Sequence, residues 1–376
     1  MKGWKFYYKR LWHWLENSFR KYRAYLKPRS YRLYHSMIAQ AEFDSSVVSV
    51  IDLSTTEMLT DSGRYFHGLV KGLLDCEHGV YVVRKLWVVS ELQKKKYSKD
   101  LIETGKVNFI DKQMLLKNSK QVDYLWCDMT NDGNVADTFK KRLNLRISAR
   151  PLERAVWMPY QAHPEVSNLP VHDDASLGKA RRLGVFFIGN VVPAYESDFV
   201  KSHDVMTRIH VLATLVDRFP DASRYRVFGG SSDQHGESRD KLFLPYYDAK
   251  KRVSEGKIPS DQYIGILGEI DFVICTPGTY MPFAHNVIEA MSQGCIPILQ
   301  YGEYFNPKLC DGINCLSFSD EEFLELAVTR AIEMDDSQRR IMRYEVVKYY
   351  NEHLKFNSFI RKIDEVENTV NVFYYG

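Results

Sequence analysis

Apolar residues in this chain come mostly in short continuous runs rather than in alternation. Ser46-Val47-Val48-Ser49-Val50-Ile51-Asp52, Val80 to Val83, Val122 to Asp128, Arg182 to Ile188, Tyr225 to Phe228, Asp271 to Cys275 and Cys295 to Leu299 are the clearest. Runs of this length predict strands covered on both faces, as in a parallel sheet sandwiched by helices. Between them lie helical patterns. Residues 203–218 put Val205, Ile209, Leu212 and Val216 on one side, and residues 260–267, 320–334, 336–354 and 356–366 also read as helices. Asp61 or Ser62 is placed to cap a helix running through Val70. Strand and helix in alternation predict an α/β protein, and 376 residues predict two domains. Trp157 to Pro164 holds two prolines and Ser167 to Gly178 is polar, which places the boundary near residue 160.

One segment says more than the others. From Pro282 to Ile298 a small-residue loop enters a helix that carries one carboxylate, Glu289, and Gly294 ends that helix just before an apolar strand. With a buried strand at Asp271 to Cys275 in front of it, the helix begins at the carboxyl edge of the sheet, where open α/β folds bind ligands. The start of a helix attracts anions.

This segment, Pro277-Gly278 and then Asn286-Val287-Ile288-Glu289-Ala290 and Gly294-Cys295-Ile296-Pro297-Ile298, resembles the donor half of GT-B glycosyltransferases, most closely the exostosin-type and related polysaccharide-building enzymes. Trp157 to Pro164 and Val185-Phe186-Phe187-Ile188-Gly189-Asn190 match in the expected order, so the resemblance spans roughly residues 155–320. It implies an α/β GT-B fold, two Rossmann-like domains facing across a cleft. The implied organisation is a basic aromatic arm (1–36), an acceptor-side domain (37–160), a nucleotide-sugar-binding domain (161–355) and a tail (356–376) that in the family crosses back to the first domain. It also implies that Glu289 holds the ribose of a nucleotide-sugar and that the helix start faces its phosphates. One position departs: many retaining members carry a second glutamate eight residues earlier, where this chain has Met281. Stereochemistry is therefore open.

The remaining candidates follow from position. Gly189 lets a backbone approach a ligand and Asn190 can donate to phosphate or sugar, with a plain turn as the alternative. Gly229 and Gly230 form a second candidate phosphate or base loop, and Tyr246, Tyr247, Lys250 and Lys251 lie in a charged, aromatic stretch after it. His285 and Asn286 open the Glu289 helix, where His285 either meets the donor phosphates or merely caps. An acceptor hydroxyl must lose its proton during transfer, and Asp61, His67 and Asp128 are the candidates to take it. Their plain readings are a helix cap, a solvent-facing histidine and a strand-ending turn.

Charge adds a further element. Ten of the 51 basic residues but one of the 48 acidic ones lie in residues 1–35, so the rest is net −6 and is no binder of nucleic acid. Within residues 2–27, Trp4, Tyr8, Leu11, Leu15, Phe19, Tyr22 and Leu26 recur every three or four positions, flanked by lysine and arginine. A basic aromatic helix of this kind suits an anionic membrane surface; packing on its own protein or on a dimer partner is the other reading. The six cysteines lack metal-ligand or redox spacing, and neither a membrane span nor the apolar core of a signal peptide is present. These features predict a cytoplasmic protein, peripheral at the inner face of the cell membrane. No strand opens into Gly-x-Gly-x-x-Gly, and no P-loop or metal-cluster spacing occurs, which argues against dehydrogenases and phosphate-cleaving enzymes. The expectation is a glycosyltransferase in cell-surface polysaccharide synthesis. It would use a nucleotide-sugar co-substrate and a glycan or lipid-linked acceptor, with no cofactor and no essential metal, since no Asp-x-Asp pair of the GT-A kind stands out. A non-catalytic scaffold or sugar-nucleotide-binding protein is the alternative.

Overall fold

The computed structural model describes residues 15, 18, 19, 21–128, 139–148, 152–166, 179–196, 203–228, 238–278, 283–366 and 369–375. Internal contacts divide the chain into two compact units, Met1–Met158 with Ile360–Tyr374, and Pro159–Phe359 with Tyr375–Gly376.

Unit 1 holds α1 (Pro28–Ser36), β1 (Val48–Asp52), α2 (Arg64–Asp75), β2 (Gly79–Val83), α3 (Leu86–Leu92), α4 (Lys96–Glu103), β3 (Val107–Ile110), α5 (Lys112–Lys117), β4 (Tyr124–Cys127), β5 (Lys141–Ser148) and β6 (Val156–Trp157). Unit 2 holds β7 (Leu183–Phe187), α6 (Arg208–Arg218), β8 (Ser223–Tyr225), β9 (Ser238–Pro245), β10 (Tyr247–Asp248), β11 (Val253–Ser254), α7 (Tyr263–Leu267), β12 (Ile270–Ile274), α8 (His285–Ser292), β13 (Ile296–Leu299), β14 (Leu316–Ser317), α9 (Glu321–Glu333) and α10 (Asp336–Tyr349). The helix α11 (Phe356–Asp364) leads the chain back into unit 1, which β15 (Thr369–Tyr375) joins as a strand.

The first sheet runs β3-β2-β1-β4-β5-β15-β6 and the second β14-β13-β12-β7-β9-β8. Neighbours in the second sheet all pair parallel, as do β3-β2-β1-β4-β5 in the first. The continuous apolar runs explain this. Every residue of β1, β7, β12 and β13 is buried, which requires cover on both faces. In unit 1, Val48, Val50, Tyr81, Val83, Ile110 and Leu125 share one core. In unit 2, Phe186 stacks on Phe243 at 4.5 Å and meets Phe228 edge-on.

Several expectations change. Asp61 and Ser62 do not cap α2: both take positive φ in a tight turn, the helix begins one residue after Gly63, and the Asp61 carboxylate pairs with Arg64 instead. Strands β5 and β9 were not foreseen because charged positions break their apolar pattern, β3 and β6 because they are short, and β15 because it lies beyond the last helical pattern of the tail. The charged, aromatic stretch after Gly230 was read without strands, and within it Tyr247–Asp248 and Val253–Ser254 fold into the small antiparallel pair β10–β11. In the amino-terminal arm Trp4, Tyr8 and Leu11 lie outside the described residues, and residues 21–25 are helical.

Unit 2 is tied together at Asp271. Its carboxylate, fully buried in β12, meets Arg339 and Arg343 of α10 at 3.2 Å each, and Arg239 of β9 stands 3.8 Å away. The same arginines also donate to the carbonyls of Ile332 and Lys179. Removing one partner from a buried charge cluster strands the others, at about 3–5 kcal/mol. Asp271→Ala should therefore lower unfolding stability by about that much in urea titrations, whereas an unchanged midpoint would show the cluster to be energetically idle.

Candidate functional site

A parallel sheet whose crossovers leave one strand in opposite directions opens a crevice at that strand's carboxyl end. In unit 2 the strand is β7, flanked by β12 and β9; in unit 1 it is β1, flanked by β2 and β4.

In unit 2, β7 ends at Ile188-Gly189-Asn190 and β12 at Cys275-Thr276-Pro277. Gly189 has φ +144°, and a Cβ there would stand 3.2 Å from Arg208 Nη1. Thr207 caps α6, its side chain accepting from the His210 amide at 3.2 Å, and so sets Arg208 as the first helical residue. Arg208 Nε donates to the Pro277 carbonyl at 2.6 Å and Nη1 to the Asn190 carbonyl at 3.2 Å, while its guanidinium lies 4.0 Å over the Tyr195 ring. Burial pulls its pKa down, and the neighbours that act on its charge are tyrosines rather than carboxylates. Nearby, the Thr276 hydroxyl, the Asn286 side-chain carbonyl and the Tyr301 hydroxyl are buried without a hydrogen-bond partner among the described residues.

Helix α8 forms as its sequence dictates. Gly294 at φ +72° ends it in a left-handed turn, with Gly294 N donating to Met291 O at 3.0 Å and Cys295 N to Ala290 O at 2.9 Å. That turn feeds the chain directly into β13. At its start no side chain caps the helix. His285 Nδ1 sits 2.9 Å from the Gln161 carbonyl, so this nitrogen carries the proton, and the ring is edge-on to His163 at 5.2 Å. Asn286 reaches the Ile188 carbonyl at 3.4 Å, linking α8 to the end of β7.

Glu289 faces inward. It is 4% exposed, and each oxygen already accepts a bond, from the His163 amide at 2.8 Å and the Tyr263 hydroxyl at 2.9 Å. A buried carboxylate needs such donors. Burial, with Glu289 adding to it, pushes the Tyr263 pKa well above its ordinary value, so the phenol stays protonated and donates.

In unit 1, Asp128 follows β4 and accepts from the Ser54 amide at 2.6 Å, the Thr55 amide at 2.8 Å and the Thr55 hydroxyl at 2.7 Å. Burial nonetheless raises its pKa above the ordinary value. Beside it, Asp52 lies between Lys85 at 2.6 Å and Lys112 at 2.5 Å. Burial pushes the Asp52 carboxyl up, but the two lysines outweigh it and hold it below its usual range. His67 is not solvent-facing: it is 8% exposed, with its ring toward Tyr97 of α4. Asp61 is exposed and paired with Arg64.

The structure thus gathers Gly189, Asn190, His285, Asn286 and Glu289 around one end of the second sheet, and sets Asp128 at the corresponding end of the first. Asp61 pairs with Arg64 and the His67 ring faces Tyr97, and Gly229, Gly230 and Met281 lie outside the described residues. Arg208, Thr276, Tyr263 and Tyr301 were missed. Arg208 had a readable signal: a cation in the first turn of a helix opposes the helix dipole and calls for another reason to be there. Among the described residues no group of three or more His, Cys, Asp or Glu side chains is gathered as a metal site would be.

Solved structures similar in shape include the Anabaena protein Alr3699/HepE in complex with UDP (TM-score 0.44, 10% identity, 85% of this chain and 98% of that one). A glycosyltransferase from Rickettsia africae (0.44, 11%, 86% and 98%) and AviGT4, a glycosyltransferase involved in avilamycin A biosynthesis (0.37, 11%, 85% and 98%), are also similar. No family model and no curated protein matches the sequence. The exostosin-type refinement of the resemblance accordingly rests on the motifs alone.

Gly189→Ala tests the close approach at this edge. A side chain at this φ costs about 1–3 kcal/mol, and its methyl would press on Arg208; a melting temperature equal to the wild type's would contradict the geometry.

Proposed function

We propose that this chain is a GT-B glycosyltransferase that moves a sugar from a nucleotide-sugar to a glycan or lipid-linked acceptor in cell-surface polysaccharide synthesis, at the inner face of the cell membrane. The observation that carries this reading is Arg208. A desolvated guanidinium without a carboxylate partner is costly, and among the described residues Arg208 has none; it stands at the sheet's switch point beside the Thr276 hydroxyl and Asn286 carbonyl, which lack a hydrogen-bond partner among those same residues. An arriving diphosphate would offset that cost, since guanidinium and phosphate pair through parallel, charge-assisted bonds.

The chemistry follows from the same groups. As the sugar leaves, negative charge grows on the nucleoside diphosphate. Arg208 and the start of α8 are already in place to stabilise it, with no reorganisation needed at that moment. This supply of positive charge is why the reading assigns no essential metal. We assign Glu289 to the hydroxyls of the pentose, the role that the family resemblance implies for it. On unit 1 the acceptor's proton is assigned to Asp128, because a carboxyl whose pKa burial has raised is a better base than an ordinary aspartate. Asp61 is tied to Arg64 and His67 is packed away, so neither is retained in that role.

Calorimetric titration with UDP and with inorganic pyrophosphate separates the two ends of the donor site. Arg208→Gln should weaken both ligands by roughly tenfold or more, the loss of a charged hydrogen-bond donor. Glu289→Ala should weaken UDP and leave pyrophosphate unchanged. If neither UDP nor any of a panel of nucleotide-sugars binds the wild type or raises its melting temperature, the donor reading fails. Binding without hydrolysis or transfer would instead make the chain a sugar-nucleotide-binding protein.

A further inference from the structure

The described part of the amino-terminal arm turns its apolar stripe away from the protein. Leu15, Phe19, Tyr22 and Leu26, spaced four, three and four residues apart, fall on one side of a helix, and they are 47%, 62%, 66% and 69% exposed. Ala24, on the opposite side, is fully buried. Packing of the stripe on its own unit, the plain explanation of the pattern, is therefore not what these residues do. Exposed Arg23, Lys27, Arg29 and Arg32 border them.

The inner side is attached to the candidate acceptor edge of unit 1. Lys21 donates to the Ser54 carbonyl and lies 4.9 Å over the Trp87 ring. Ser54 and Thr55 are the residues whose amides Asp128 holds. The segment that follows is anchored as well, by Ser30 to Ser90 at 3.0 Å and by Arg84 to the Met37 carbonyl at 2.8 Å.

We propose that this helix is an anchor for an anionic phospholipid surface and that it fastens the 53–55 loop to that surface through Lys21. The acceptor would then be an amphiphile carried in the same bilayer. The argument for a bilayer rather than a second copy is charge. Ten basic residues against one acid in residues 1–35 repel an identical arm and attract anionic headgroups, at about 1 kcal/mol per basic residue near the surface, while the aromatic stripe enters the headgroup boundary. The nature of the acceptor rests on the transferase reading; the anchoring does not.

The test uses the full chain and vesicles of neutral phospholipid with and without about 30% anionic phospholipid. The wild type should sediment with the anionic vesicles and be released by high salt. The triple variant Phe19→Ser, Tyr22→Ser, Leu26→Ser should bind them at least about tenfold more weakly, with its melting temperature and UDP binding retained. Arg23→Glu with Arg29→Glu should lose the preference for anionic over neutral vesicles. Hydrogen exchange at the Ser54 and Thr55 amides should slow about threefold or more on vesicle binding. In Lys21→Met that slowing should disappear while the vesicle binding stays. Equal vesicle binding by the wild type and the triple variant, or a concentration-dependent dimer that the triple variant abolishes, would overturn the anchor. Unchanged slowing in Lys21→Met would overturn the coupling. Failure of UDP and of every nucleotide-sugar in the panel to bind would sink the transferase reading and leave the anchor standing.

Discussion

A sheet whose strands are buried on both faces has no room for polar chemistry except at its ends, and that constraint organises this protein. Each run of apolar side chains that builds β1, β7, β12 or β13 is followed immediately by groups that want water or charge: Asp52, Gly189 with Asn190, Thr276. Helices on both sides fix where those ends emerge, and the reversal of strand order separates the loops there. Two quite different clusters arise from the same rule. One is a pair of aspartates among lysines; the other is a lone guanidinium among hydroxyls and amides.

The two treatments of buried charge in unit 2 separate stability from function. Asp271 is surrounded by arginines that supply its counter-charge within the fold and also donate to carbonyls, while the Nε of Arg239, Arg339 and Arg343 has no hydrogen-bond partner among the described residues. Arg208 is also buried, but among the described residues it is met by carbonyls and an aromatic ring rather than by a counter-charge. Buried ion pairs add little net stability when complete.

Much of this was legible because burial on both faces writes itself as uninterrupted hydrophobicity. The strands at residues 48–52, 183–187, 270–274 and 296–299 and the turn at Gly294 could be read directly. Strand β9 could not, since it opens Ser-Arg-Asp-Lys and two of those charges serve the Asp271 cluster or its neighbourhood. Likewise β15 reads Thr-Val-Asn-Val-Phe-Tyr-Tyr, a clear β pattern beyond the helix expected at 356–366, where no element was assigned. At the site, the glycine and the carboxylate were found by their positions relative to strands and helix. Arg208 was passed over because the apolar stripe of its helix drew the attention. Glu289 was found, but its partners were not, since the amide of His163 and the hydroxyl of Tyr263 come from segments 126 and 26 residues away.

Strand β15 has a consequence for how the chain is made. Its residues lie between β5 and β6 in the first sheet, yet they are synthesised after all of the second sheet's strands. A ribosome therefore releases every strand of the later unit while the earlier one still lacks an interior member and holds two unpaired strand borders. Exposed borders of that kind invite mispairing, so the nascent protein's vulnerable period falls late in translation and belongs to the part that emerged first.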